Sequence, residues 1–155
     1  MTEAAEAIIA RLGLAPHPEG GWYAETWRAP TTDQAAGGAR PAGTAIYFLL
    51  KAGERSHWHR VDAAEVWLWH AGAPLALRIA ATAAGPARRV TLGPDLASGA
   101  SPQAVVPDGH WQAAESLGAF TLVSCVVAPG FRFEGFDLAP PGFDIPEGGP
   151  DGVRT

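Results

Sequence analysis

From Thr44 onward the hydrophobic residues of this chain arrive in runs too short for helices: TAIYFLL at 44–50, EVWLW at 65–69, LALRI at 75–79 and FTLVSCVV at 120–127. Each run is followed by a turn carrying Gly or Pro, such as AGAP at 71–74. Apolar stretches of that length between turn residues read as strands, because a helix needs a longer segment with a 3.6-residue period. Further extended segments at Trp22–Arg28, Arg89–Leu92, Gln103–Val106 and Trp111–Ala114 bring the expected total to about eight. One helix is expected, Thr2–Leu12, with Ala5, Ile8, Ile9 and Leu12 on its apolar face and Gly13 as its stop. Such a pattern excludes alternating βαβ units and predicts an all-β jelly roll or related sandwich. Neither a Gly-rich nucleotide loop nor a serine elbow is present, which leaves the concave interior as the expected place for function.

The 155 residues are expected to form one domain, 1–155, with its core at about 8–140 and a loose Gly- and Pro-rich tail from 141. Residues 30–43 lack periodicity and read as a loop. The formal net charge is -5, and the nearest approach to a basic run is Arg88-Arg89, so neither nucleic acid nor an anionic membrane is an expected partner. The N-terminal MTEAAEAII lacks a basic leader, and no apolar run reaches transmembrane length; a cytoplasmic protein is expected. The single cysteine, Cys125, excludes an internal disulfide and sits in an apolar strand, where it reads as core packing.

Chemistry concentrates in two segments. In GERSHWHRVDAAEVWLWHAG, at 53–72, His57 and His59 are two apart, so on an extended chain both side chains leave from the same face. Glu65 follows on the next strand. Two imidazoles and a carboxylate bind Zn²⁺, Fe²⁺, Mn²⁺ or Ni²⁺, or without metal act as a proton-transfer pair. The alternative, one histidine bonded to backbone and the other in solvent, is equally open. The second segment is VVPDGHWQA at 105–113, where His110 and Gln112 share a parity and either completes the cluster if the strands are adjacent. Trp67 and Trp69 share the Glu65 face, as barrel filling or as ligand-binding surface. Tyr23, Glu25, Arg28 and Tyr47 are candidates for the opening, and Arg28 and Arg60 suit an anionic ligand.

The same segments resemble the two motifs of the cupin superfamily. HPEGGWYAETWR, TAIYFLL, SHWHRVDAAEVW, LGPDLASG, VVPDGHWQAA and VVAPGFRFEGFDL, from about residue 8 to 140, resemble one uncharacterised cupin family, a domain of unknown function (DUF985, Cupin_5). The resemblance implies a double-stranded β-helix, a jelly-roll barrel, paired as a homodimer, with a polar pocket at one mouth. Relatives by fold include dTDP-4-keto-6-deoxyhexose epimerases, metal-dependent dioxygenases, isomerases and plain small-molecule binders. In a metal-binding cupin the first motif would place ligands at His57, His59 and Glu65. Two departures stand out: the interval from His59 to Glu65 is one residue longer than the usual pattern, and Gln112 stands where a histidine is expected, with His110 two positions earlier.

Three readings follow. One is a sugar- or nucleotide-type isomerase or epimerase without metal, with His59 as base, Glu65 its orienting partner, Tyr47 an opposing acid and Arg28 or Arg60 an anion clamp. Another is a metal-dependent enzyme using His57, His59, Glu65 and His110 or Gln112. The third is a non-catalytic module that binds a small molecule through the same residues. In each, a homodimer is expected through the aromatic strand at 22–28.

Overall fold

The computed structural model describes residues 2–32 and 40–148. Helix α1 (Thr2–Leu12) opens the chain and is followed by β1 (Ala15–Pro16), β2 (Trp22–Arg28), β3 (Thr31–Thr32), β4 (Arg40–Pro41), β5 (Thr44–Lys51), β6 (Arg55–Val61) and β7 (Ala64–Gly72). After these come β8 (Leu75–Ala80), β9 (Arg88–Leu92), β10 (Gln103–Val106), β11 (Trp111–Ser116), β12 (Phe120–Ala128) and β13 (Phe136–Leu138). One antiparallel sheet has the order β1-β2-β5-β12-β7-β10 and the other β13-β6-β11-β8-β9; β3 and β4 form a small ribbon. The expected all-β architecture with a short N-terminal helix is present, but the expected barrel is not.

Neither sheet closes: β1 and β10 end the first, and β13 and β9 end the second. Closure requires backbone pairing all the way round. Here β1 and β13 are only two and three residues long, and the sheets are joined by packed side chains instead. The molecule is a cupin-like jelly-roll sandwich of two open sheets.

Alternation along the strands explains where the core ends and a cavity begins. On β12 the inward residues are Thr121, Val123, Cys125 and Val127, and on β5 they include Phe48 and Leu50. Phe48, Leu50, Trp67, Leu77, Ile79, Leu92, Val106 and Val123 fill one end of the sandwich. Towards the other end the same inward rows carry Thr44, Ile46, Glu65, Cys125 and Val127, which line a cavity. The core and the pocket are thus two halves of one inner surface.

The outer faces are covered differently. Ala5, Ile8, Ile9 and Leu12 of α1 pack on Leu49, Tyr47, Trp22 and Ala24 on the first sheet, as the helical spacing predicts. On the second sheet, Trp58, Ala80, Trp111 and Ala113 are covered by residues 139–148. The Ala139 amide donates to Trp58 O at 3.0 Å, Trp58 Nε1 donates to Asp144 at 2.7 Å, and Ile145 is fully buried. The expectation of a loose tail from residue 141 is therefore corrected through Gly148; residues 149–155 lie outside the described residues, as does 33–39 of the expected 30–43 loop. A buried isoleucine lost to alanine costs about 2–5 kcal/mol. Ile145→Ala is expected to lower stability by that order in urea denaturation, and an unchanged midpoint would contradict the docking.

Candidate functional site

The pocket is built where the β1–β2 turn meets β6. His17-Pro18-Glu19-Gly20-Gly21 folds back on itself through His17 N to Gly21 O and Gly20 N to His17 O, both 2.9 Å. The turn then presses against β6, with the His57 amide donating to Glu19 O at 2.8 Å. Gly20 is required by this approach: its φ is +111°, and a Cβ there would lie 2.0 Å from Arg55 O. As a result the Glu19 side chain, 9% exposed, is driven into the sandwich beside His59, which is 2% exposed.

A bulge in β6 decides which of its residues face inward. Gln112 of β11 pairs with His59 and Ala114 with Ser56, so Ala113 alone stands opposite His57 and Trp58. Ser56 and His59 point inward, Trp58 points to the outer cluster, and the extra residue is displaced. The expected common face for His57 and His59 is lost for that reason. The His57 ring instead meets Pro140 O, with Nε2 at 3.0 Å.

The cavity, about 250 Å³, is lined by His17, Glu19 and His59 on the side of the turn and β6, with Glu65 and Cys125 contributed by the facing sheet. Tyr23, Glu25, Arg28, Phe131 and Phe133 also line it. His59 Nδ1 lies 2.7 Å from His57 O, so it carries the proton and donates it, which leaves the Nε2 lone pair free in the neutral ring. His59 Nε2 is 3.4 Å from Glu19 Oε1, and His17 Nδ1 is 3.6 Å from the same oxygen. The Glu19 amide donates to His17 Nδ1 at 3.1 Å, so neutral His17 carries its proton on Nε2. Ser56 Oγ donates to Glu19 Oε2 in a short hydrogen bond. Across the cavity, Glu65 Oε1 accepts from Gln112 Nε2 at 2.9 Å, while Gln112 Oε1 accepts from Trp67 Nε1 at 2.7 Å.

Burial controls the protonation of this group. It pushes Glu19 up to about 8, against the Ser56 hydrogen bond, and Glu65 up to about 7, with His59 opposing and Glu19 reinforcing. Burial also lowers His17 to about 4, aided by His59, and lowers His59, with Glu65 opposing. The Cys125 thiol is pushed well up by burial and then by the two carboxyls, which fits a packing role rather than a nucleophile. Near neutral pH Glu19 and the two histidines of the floor are therefore uncharged, and Glu65 is close to its midpoint.

The other sequence candidates lie elsewhere. Tyr47 faces the α1 side of its sheet, since Ile46 and Phe48 take the inward positions of β5. It is not across the pocket from His59. Trp67 is buried core, and Trp69 packs beside it with Nε1 donating to Ala73 O at 3.0 Å. Arg28 stands at the mouth in a two-pronged pair with Glu25, at 3.0 and 2.9 Å. Arg60 lies over the Trp111 ring on the outer surface and pairs with Asp137 at 3.0 Å, away from the pocket. His110 stays in its turn, with Nδ1 3.4 Å from Asp108 O. The expected metal-ligand set therefore does not assemble: His57 and His110 leave the pocket, and the Gln112 amide presents its N–H to Glu65. Among the described residues no group of three or more His, Cys, Asp or Glu side chains is disposed to hold a metal ion.

His17 and Glu19 are not among the site residues expected from the sequence. The available signal was an HxE pair followed by two glycines: residues two apart share a side, and a glycine doublet marks close backbone approach.

Comparison with known proteins agrees with this architecture. The sequence profile described as Cupin superfamily (DUF985) matches residues 6–139. The chain belongs to this cupin family. Among solved structures, a hypothetical protein from Leishmania major is 35% identical, with a TM-score of 0.81 over 90% of this chain and 89% of that one. A protein from Shewanella oneidensis is 39% identical, with a TM-score of 0.80 over 87% and 84% of the two chains. KdgF from Halomonas sp., at 12% identity and a TM-score of 0.54 over 78% of this cupin and 90% of that chain, shares the fold alone. No curated protein sequence matches. Among the described residues of this cupin, no helix is long and apolar enough to cross a membrane.

Proposed function

We propose that this cupin binds a small polar molecule in the pocket and moves protons on it by acid–base chemistry, with His59 Nε2 as the base. One observation carries the reading: two imidazoles and two carboxyls are buried together on the floor of a cavity, with His59 Nε2 unprotonated, Glu19 holding its proton near neutrality and Glu65 close to its midpoint there. Burying four ionisable groups is costly for the fold, and such a cost is characteristic of sites that perform proton transfer. A module that only bound its ligand would not need them. The size of the cavity favours a ligand smaller than those filling pockets of roughly 300–1,000 Å³. Because Arg28 is already paired with Glu25, an anionic group at the mouth has to compete for it, and the floor favours an uncharged polar head.

His59 takes a proton from an acidic C–H or O–H of the ligand, and its imidazolium is stabilised by Glu19 beside it and Glu65 across the cavity. Glu65, fixed by Gln112, positions polar groups from the other sheet. Phe48 and Phe131 shield part of the remaining surface from water, and Phe133 stands exposed at the mouth. The test is washout of carbon-bound hydrogen. Incubating the protein in ²H₂O with small carbonyl compounds, followed by ¹H NMR, is expected to show exchange next to the carbonyl that His59→Gln reduces by about 10²–10⁴-fold. Ligand binding, read by calorimetry, without exchange for any compound bound would overturn the catalytic reading and leave a binding module.

A further inference from the structure

We propose that Glu19 is the proton donor that works beside His59, and that the pocket interconverts short 2-hydroxyaldehydes with their 2-ketose isomers. This rests on the acid–base reading above and adds to it a second catalytic residue, a reaction class and a substrate class. The geometry is the basis. Racemising or epimerising a carbon requires an acid on the face opposite the base. Shifting a carbonyl to the neighbouring carbon requires acid and base on the same side, because both protons move between adjacent atoms. Here the base and the nearest acid share one wall: His59 comes from β6, and Glu19 from the turn bound to β6 through His57 N. Their reactive atoms are 3.4 Å apart.

The two carboxyls are held differently. Glu65 accepts from Gln112 Nε2 and from the Cys125 thiol, so two donors hold it in place and its proton is the more readily lost of the two. Ser56 Oγ donates to Glu19 Oε2, so Oε1 is the oxygen turned towards the two imidazoles and the ligand space. Tyr47, the tyrosine expected to act from across the pocket, is on the other face of its sheet. The facing wall carries Ile46, Phe48 and Val127, and the Thr44 hydroxyl oxygen there already accepts from the Phe131 amide at 2.9 Å.

The reaction balances without a cofactor. His59 Nε2 takes the proton from C2 of the 2-hydroxyaldehyde, the C2–H electrons form a C1–C2 double bond, and the C1 carbonyl oxygen takes the proton of Glu19, giving an enediol. The Glu19 carboxylate then takes the proton from the oxygen on C2, a carbonyl forms at C2, and His59 returns its proton to C1. Both side chains end as they began, and nothing is oxidised or reduced overall.

The probe is a series of 2-hydroxyaldehydes from glyceraldehyde to glucose, each incubated with wild type, Glu19→Gln and Glu19→Asp in ²H₂O and followed by ¹H NMR. Wild type is expected to form the ketose with deuterium at C1. Glu19→Gln, which keeps the shape of a neutral carboxyl, is expected to fold as wild type by circular dichroism and to lose about 10²–10⁴-fold in turnover. Glu19→Asp is expected to recover part of that loss, and the loss of rate that accompanies deprotonation of Glu19 on the alkaline side is absent from the residual activity of Glu19→Gln. Deuterium at C2 with the epimer formed and no ketose would overturn this inference while keeping the acid–base reading. Neither exchange nor isomerisation across the series would overturn the inference, and exchange on some other carbonyl compound would then decide the broader reading separately. Ketose formation undiminished in Glu19→Gln would remove Glu19 from the chemistry.

Discussion

Glu19→Gln is expected to make the protein more stable at alkaline pH while stripping it of activity. Burial raises the Glu19 carboxyl to about 8 in the folded state, from an ordinary value of 4.5. Between those two values the folded chain keeps a proton that the unfolded chain has released. Stability is therefore fully present below about 4.5, falls as pH rises towards 8, and levels off above it. Glutamine keeps the amide-for-carboxyl shape and still accepts from Ser56, but has no proton to lose. The gain over wild type should be near zero at pH 4 and grow to the order of a few kcal/mol by pH 9. Urea denaturation of both proteins across that range measures it. His17 acts in the opposite sense: lowered to about 4 from 6.5, it stays neutral in the fold and costs stability as pH falls below 6.5. Comparing the variant with wild type at each pH cancels that contribution. A gain that does not change with pH would mean that Glu19 titrates normally, and that it is not buried as described.

The second large effect is at His59. Of the two unprotonated imidazole nitrogens near Glu19 Oε1, His17 Nδ1 is occupied by the Glu19 amide, and His59→Gln removes the other. The fold should survive, since glutamine fits a strand and the imidazole makes one hydrogen bond, to His57 O. Carbon-bound hydrogen exchange should fall by about 10²–10⁴-fold, whereas affinity for the polyol corresponding to each aldehyde, which has no carbonyl to react, should change by less than tenfold. A parallel loss of affinity and exchange would instead make His59 a binding group. The same comparison at His57 is expected to show much less, because its ring is bonded to Pro140 O outside the cavity.

Much of this was legible in the chain, and the exceptions have identifiable causes. Short apolar runs between turns gave the strands, and the spacing of Ala5, Ile8, Ile9 and Leu12 gave the buried face of α1. His59 and Glu65 do meet at one cavity. Tyr47 was misplaced because TAIYFLL is apolar on both faces, one packed in the sandwich and the other under α1, so its pattern does not say which side is inward. His57 was placed with His59 on the assumption of a regular strand, and a single extra residue in β6 breaks that parity. Glu19 was missed because its burial depends on a long-range contact, the seating of Gly20 on Arg55 O: the glycine doublet signals a close approach but not what is approached. The barrel was expected from the family resemblance, whereas closure depends on the length of edge strands too short to recognise in sequence.

The most direct test of the central claim needs no substrate. ¹³C NMR of the glutamate side-chain carboxyls, assigned with Glu19→Gln and Glu65→Gln, follows their titration in the wild-type protein. The arrangement described here predicts that Glu19 titrates near 8 and Glu65 near 7. Both carboxyls titrating near 4.5, like glutamates in water, would mean that the floor of the pocket is charged at neutral pH and has no proton to give.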